Sequence, residues 1–257
     1  MSEETKSQRD RIQDQIDEIK KNLVEKTRVL KTWGTLADLY TARDRLPTEM
    51  MSEGSTASNE DSIDASMAEY LAGYKEYQDG NFTDAEGHFL NSIDLLDWNI
   101  LAIVNLGNLQ YLQGGHDKAE ETFNKALTYA ENDARSEILT NLGMNALKRD
   151  LVTDAKEFFH QAIDINSSNA SALNDMGLVK EAEENDGEAL EYYKRAIKAD
   201  PSDEEIWYNL GTLLGKQGNK EGRLFCFIKA EKRGFIELKE MIDDLYKQGI
   251  EPVNPLA

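Results

Sequence analysis

From about residue 63 the apolar positions fall at helical spacing in paired stretches. Short polar or glycine-bearing breaks such as Asp79-Gly80-Asn81 and Gly114-Gly115 separate the two members of each pair. The pattern is periodic. Gly73, Gly107, Gly143, Gly177 and Gly211 are spaced by 34, 36, 34 and 34 residues. Twelve residues after each glycine come Ala85, Ala119, Ala155, Ala189 and, out of pattern, Arg223. Four further on stand Phe89, Phe123, Phe159, Tyr193 and Phe227, then Ser92, Ala126, Ala162, Ala196 and Ala230. A glycine inside a helix costs about 1 kcal/mol against alanine, so five at one register require a compensating close approach of a second helix. Five helix-turn-helix hairpins are therefore predicted, at about 66–98, 100–134, 136–169, 170–203 and 204–234. Two departures carry local expectations. Asp150 stands where a turn glycine is usual, and Arg223 should splay the fifth hairpin or place its side chain at an exposed edge.

The flanks read differently. In residues 1–46, Ile12, Ile16, Ile19, Leu23, Lys26, Leu30, Trp33, Ala37 and Tyr40 alternate at spacings of four and three, a heptad-like seam ended before Pro47. Such an amphipathic helix cannot bury its stripe alone, so it docks on the array, dimerises as a coiled coil or binds a partner. Ile12, Ile16, Ile19, Leu23, Leu30, Trp33 and Tyr40 are its expected contact residues. Residues 47–62 are small, polar and acidic without periodicity, and read as a flexible linker. Residues 235–257 hold a capping helix, with Ile236, Met241, Ile242, Leu245 and Tyr246 at helical spacing, and a tail expected to be mobile after Gly249.

The 34-residue register, with Trp207, Leu210, Gly211 and Ala230 in the fifth copy and Lys198-Ala199-Asp200-Pro201 closing the fourth, resembles the tetratricopeptide repeat family. The resemblance spans roughly residues 63–234. It implies an all-α, right-handed superhelical solenoid of α-α hairpins, preceded here by the amphipathic helix, whose concave groove is lined by the first helix of each repeat. Side chains two, three and six residues before each glycine, and one and four after it, are expected to point away from the second helix. Among these positions Tyr70, Tyr74, Tyr77, Asn105, Asn108, Tyr111, Asn141, Met144, Asn174, Asp175 and Asn209 are the candidate peptide-binding residues. Asn105, Asn141 and Asn209, with Asp175 in the same register, form a ladder. Its amides could hold the backbone of an extended peptide, or bond to a neighbouring helix as repeat-consensus residues. The tyrosines suit an amphipathic or basic segment, or pack beneath the N-terminal helix. The carboxylate clamp by which some family members hold acidic chaperone tails requires Lys and Arg on this face, and the matching positions lack them.

Composition narrows the function. The chain is 40% hydrophobic and 30% charged with one cysteine, and its formal charge is −20. Residues 1–46 carry ten Lys plus Arg against nine Asp plus Glu, so the remaining nineteen against forty put −21 on the rest. That field repels phosphate backbones and argues against nucleic-acid partners. No run of eighteen apolar residues is present and the N-terminus lacks a signal-peptide core, so no membrane partner and a cytoplasmic location are expected. His88, His116 and His160 fall at different registers, no phosphate-cradling loop precedes a helix, and Cys226 lies in an apolar run. No catalytic residue, metal site or cofactor is assigned, and an enzyme is not expected. The sequence reads as an interaction scaffold or adaptor for an extended or helical protein segment that is not strongly acidic. The alternatives are a structural protein that self-assembles as a homodimer through residues 1–46, and a co-chaperone or assembly factor without the clamp.

Overall fold

The computed structural model describes residues 59–256 together with Gln13 and Ile16. Among the described residues the structure is entirely helical. The helices are α1 (Asn59–Gln78), α2 (Phe82–Leu95), α3 (Ile100–Leu112), α4 (His116–Leu127), α5 (Asn132–Lys148), α6 (Val152–Ile165), α7 (Ala170–Ala182), α8 (Asp186–Ala199), α9 (Glu204–Lys216), α10 (Lys220–Glu231) and α11 (Lys239–Lys247). A 3-10 turn, Ile236–Leu238, precedes the last. The chain divides into two compact units, the first ending at Asn145 and the second starting at Ala146. In the first, α1 packs on α2 and α3, and α3 on α4. In the second, α6 packs on α7, α7 on α8, α8 on α9 and α9 on α10, and α11 closes on α10.

Four hairpins are held where the spacing predicts. A Cβ placed on Gly73 would lie 2.9 Å from Phe89 Cδ1; on Gly107, 2.6 Å from Phe123 Cε1; on Gly177, 2.6 Å from Tyr193 Cε1; and on Gly211, 2.7 Å from Phe227. The absent methyl is the seat of the aromatic ring, which offsets the glycine's helix penalty. Ala85, Ala119, Ala189, Ala126 and Ala196 are fully buried beside these rings. Three of the first helices start on side-chain caps: Asn99 Oδ1 accepts from Ala102 N at 3.3 Å, Asn169 Oδ1 from Ala172 N at 2.9 Å, and Asp203 Oδ1 from Glu205 N at 2.8 Å. The turns inside the hairpins take a left-handed residue seven positions after the repeat glycine. Gly80, Gly114 and Gly218 serve in three of them; Asp150 (φ 59°) and Glu184 (φ 59°) serve in the other two.

Four local expectations change. The fifth hairpin is not splayed, since Gly211 meets Phe227 as closely as its counterparts meet their rings. Arg223 is accommodated because Gly215, eight residues earlier, leaves room for its stem. A Cβ on Gly215 would lie 2.8 Å from Arg223 Cδ, and the guanidinium rests 4.9 Å from the Phe227 centroid. In the second repeat Tyr111 and Ala119 stand at the same two positions and in the fourth Glu181 and Ala189 do, so the fifth copy exchanges large for small. Helix α1 begins at Asn59, inside the stretch expected to be a linker, because buried Ile63, Met67 and Tyr70 set a helix that extends backwards. The cap buries Leu238, Ile242 and Leu245, while Ile236 is 72% exposed and Met241 and Tyr246 also lie in solvent. The tail returns to the fold, with Val253 N donating to Glu221 O at 3.2 Å and Pro255 and Leu256 beside Lys194, Ile197 and Lys198 of α8. Of the amphipathic N-terminal residues, Ile16 is helical and fully buried. Ile12, Ile19, Leu23, Leu30, Trp33 and Tyr40 lie outside the described residues.

Candidate binding face

The first helices carry the candidate residues, and the glycine register decides which of them reach the surface. A residue three before the glycine lies on the glycine's own side of the helix, and so faces the second helix. Tyr70 is accordingly buried, with its ring 6.1 Å from Phe89, and belongs to the core rather than to a groove. Asn174, at the equivalent place, is buried too. Tyr208 follows the same rule, stacked 5.9 Å from Phe227 and 5.2 Å from Phe235. In the first unit the accessible set is Tyr74, 39% exposed, and the half-buried Tyr77, Asn105, Asn108, Tyr111, Asn141 and Met144. Tyr77 leans on Phe82 at 5.8 Å and Tyr111 meets the His116 ring edge-on at 5.7 Å. His116 Nδ1 sits 3.0 Å from Asn145 Oδ1, and Asn145 Nδ2 donates back to His116 O at 2.9 Å.

The asparagine ladder takes part in helix-to-helix bonding. Asn141 Nδ2 donates to Asn108 Oδ1 at 3.1 Å, and the buried Asn209 donates through Nδ2 to Asn174 Oδ1 at 2.9 Å. Each joins two successive first helices by a side-chain amide pair. Asn105 instead bonds within its own helix, Nδ2 to Leu101 O at 2.9 Å. An amide NH2 has two donors, so a paired Asn141 or Asn209 keeps one of them in excess of the interhelix bond.

The seam of α7 and α9 in the second unit is the polar and acidic part. Asp175, in the ladder register, is 6% exposed. Burial first, then the Glu205 carboxylate, push its carboxyl up from 3.8 to about 7, against the favourable side chain of Asn174. Glu205, at the surface, is raised by partial desolvation and by Asp203 and Glu204. Further along, Glu181 accepts from Tyr193 Oη at 3.1 Å and pairs with the Lys216 ammonium. Desolvation and the Glu181 charge drive the Tyr193 hydroxyl far above its ordinary value. Asp175's position is legible in the sequence, but its burial and its lack of a basic neighbour are not. Glu181 stands four residues after a repeat glycine, at one of the expected face positions, and Tyr193 at the ring position sixteen after it. Neither is among the candidate residues, and that register is the signal that could have found them.

Nothing in this arrangement resembles a reacting centre. His88 Nδ1 lies 2.7 Å from Glu69 Oε2, His116 is engaged with Asn145, and His160 is exposed. Cys226 is buried, and desolvation pushes its thiol up to about 12. Among the described residues no three His, Cys, Asp or Glu side chains converge as metal ligands, and no helix is long and apolar enough to cross a membrane.

Helical hairpins in tandem, closed by a glycine-on-ring contact and capped by a last helix, define an α-α hairpin repeat protein. The family model described as "TPR repeat" matches residues 182–218, and the one described as "Tetratricopeptide repeat" matches residues 101–133 and 204–233. Those stretches of the chain are tetratricopeptide repeats. Members of that family bind protein or peptide partners and are typically non-enzymatic scaffolds. Among solved structures it is similar to TTC0263, a thermophilic TPR protein of Thermus thermophilus. The two share 18% identity over 71% of this chain and 100% of that one, with a TM-score of 0.56, a likeness of fold. It also matches MamA (21% identity, 69% and 95% covered, TM-score 0.49). A third match is YrrB, described as a TPR protein with an unusual peptide-binding site (18%, 75% and 98%, 0.47). No curated protein sequence matches the chain.

Proposed function

We propose that this protein is an interaction scaffold that holds an extended or helical protein segment on the exposed faces of its first helices. The carrying observation is the pairing of two successive first helices by the half-buried side-chain amides of Asn108 and Asn141 beside the accessible tyrosines of the same unit; the buried Asn174–Asn209 pair only fixes helix spacing in the other. Amide pairs fix the spacing of the helices and keep polar groups on a face that a well-packed core would have made apolar. Tyr74, Tyr77 and Tyr111 add rigid rings with hydroxyl tips, and the acidic seam disfavours strongly acidic segments. The scaffold acts in the cytoplasm in this reading, where a buried thiol such as Cys226 stays reduced.

Panning a random dodecapeptide display library on the full chain tests the reading. Enriched peptides should bind at least tenfold more weakly to a Tyr74→Ala, Tyr77→Ala, Tyr111→Ala variant or to an Asn108→Ala, Asn141→Ala variant. They should bind unchanged to His160→Ala on a second helix. Failure to enrich any peptide, or binding indifferent to both variants, would remove the assignment. The residue Ile16, fully buried within the single chain, favours docking of the N-terminal helix on its own chain over assembly through it. Sedimentation equilibrium on the full chain should accordingly report a monomer at micromolar concentration.

A further inference from the structure

Four residues after the repeat glycine the first helices carry Tyr77, Tyr111, Leu147 and Glu181, all of them half-buried. The fifth copy has Gly215 there, and a side chain from the second helix takes the space. Arg223 Cδ, Nε and Cζ lie 2.8, 3.2 and 3.5 Å from the point where a Cβ on Gly215 would stand. The half-buried arginine therefore reaches the place where the other repeats present a first-helix side chain. On its other side Cζ rests 4.9 Å from the Phe227 ring centroid, so the stem is held on two sides before any ligand arrives.

Its own fold serves this guanidinium poorly. Nε is buried with no hydrogen-bond partner, and Nη2 is engaged by the Met241 thioether at 3.8 Å, a weak acceptor. The chain holds 49 Asp plus Glu against 29 Lys plus Arg, and Lys156, Lys180 and Lys216 each find a glutamate. Among the described residues no carboxylate pairs with Arg223, although α11 beside it carries Glu240, Asp243 and Asp244. The surroundings are also locally basic. Residues 215–235 hold six Lys or Arg against two Glu, a net +4 in a chain of −20. A buried donor without an acceptor is costly, and the alanine of the first four copies would have avoided it.

We propose that Arg223, framed by Gly215, Phe227 and Met241, is a subsite for one carboxylate of the bound protein segment, from an acidic side chain or a free C-terminus. This deepens the segment-binding assignment and rests on it. Because Nε is occluded, the carboxylate meets the guanidinium end-on, at Nη1 and Nη2, and displaces the weak sulfur contact. A planar fork matches a planar two-oxygen acceptor, and the packed stem has already lost its rotamer freedom, so less entropy is lost on binding. The site admits one acidic group. It lies by the last turn of α9, whereas Glu204 and Glu205 in the first turn repel a second one, so the carboxylate fixes the direction in which the segment lies along α9. The carboxylate clamp needs several cations on the first helices; here a single arginine of a second helix reaches that face through a glycine gap.

Three alanine-serine heptapeptides are titrated against the full chain by calorimetry and by the NMR signal of Arg223 Nε–H. One is blocked at both ends with a central glutamate, one is blocked with a central glutamine, and one has the glutamine with a free C-terminal carboxylate. At least one of the two carboxylate peptides, the comparison between them separating side chain from C-terminus, should bind at least tenfold more tightly than the blocked glutamine peptide and shift the Arg223 signal. Arg223→Ala, which restores the residue of the other copies, should abolish the discrimination. Lys232→Ala, which removes the same charge from an exposed site nearby, should keep at least half of it. The signal of the unaltered chain keeps the test valid even where Arg223→Ala disturbs folding. Equal binding of all three peptides, an unmoved Arg223 signal, discrimination that survives in Arg223→Ala, or an equal loss in Lys232→Ala overturns the subsite and leaves segment binding intact. No binding by any of the three overturns the subsite as well, and segment binding is then judged by the panning experiment alone.

Discussion

Replacing Asp175 with asparagine should stabilise the protein, and by an amount that depends on pH. The Asp175 carboxyl is held at about 7 in the folded chain against 3.8 ordinarily, chiefly by burial and then by Glu205 and Asp203. The folded state therefore binds more protons than the unfolded state between about pH 4 and 7, so stability falls as pH rises through that window and levels off above it. At 1.36 kcal/mol per pKa unit the full penalty is roughly 4 kcal/mol, an upper figure because water reaches the rim of the site. Asparagine copies the protonated shape at a register where Asn105, Asn141 and Asn209 already stand. Asp175→Asn should raise stability by about 1–4 kcal/mol at pH 8 and by far less at pH 4.5, the difference growing between the two. Thermal midpoints would rise by about 2–4 °C per kcal/mol in a chain of this size. Urea unfolding followed by circular dichroism at pH 4.5, 6 and 8 measures it. A variant less stable than the parent at pH 8, or a gap of equal size at all three pH values, refutes the reasoning.

Three further substitutions probe the architecture. Glu184→Gly should stabilise by about 1 kcal/mol, because Glu184 holds a left-handed conformation at φ 59° that glycine adopts without strain; urea midpoints decide it. Gly177→Ala should destabilise by about 1–3 kcal/mol despite its better helix propensity, since the new methyl would sit 2.6 Å from Tyr193 Cε1; calorimetry should show a lower midpoint. Gly215→Glu alone should destabilise by about 1–3 kcal/mol against the Arg223 stem, and adding Arg223→Ala should recover most of the loss. A double-mutant cycle showing no coupling would mean that the fifth hairpin tolerates Arg223 for another reason.

The hairpins were legible because their determinants are local and repeat: a glycine, and sixteen residues later the ring that fills its missing Cβ, as Gly177 and Tyr193 do. What the pattern concealed depends on direction or on pairs. Tyr70 looked like a groove residue by count, yet three positions before a glycine is the glycine's own face, and Tyr70 therefore packs on Phe89. Arg223 looked like a wedge until Gly215 was seen to vacate the opposing space. Glu184 gave no turn signal, because a glutamate in left-handed conformation has the composition of a helix. The tail is tied by a backbone bond from Val253 to Glu221, which no side-chain pattern encodes. At the candidate site, the sequence placed Asp175 in the ladder, but burial and the absence of a cationic neighbour arise only when α7, α8 and α9 are packed together.

The central claim is that partners lie on the first helices, and a hydrogen-exchange footprint of the full chain with a saturating panned peptide tests it most directly. Slowed exchange should concentrate in the first helices of one unit, α1, α3 and α5 or α7 and α9, and in the turns at their ends, with the second helices unchanged. Protection confined to the second helices, α11 or the Val253 tail would place the partner elsewhere and contradict the account.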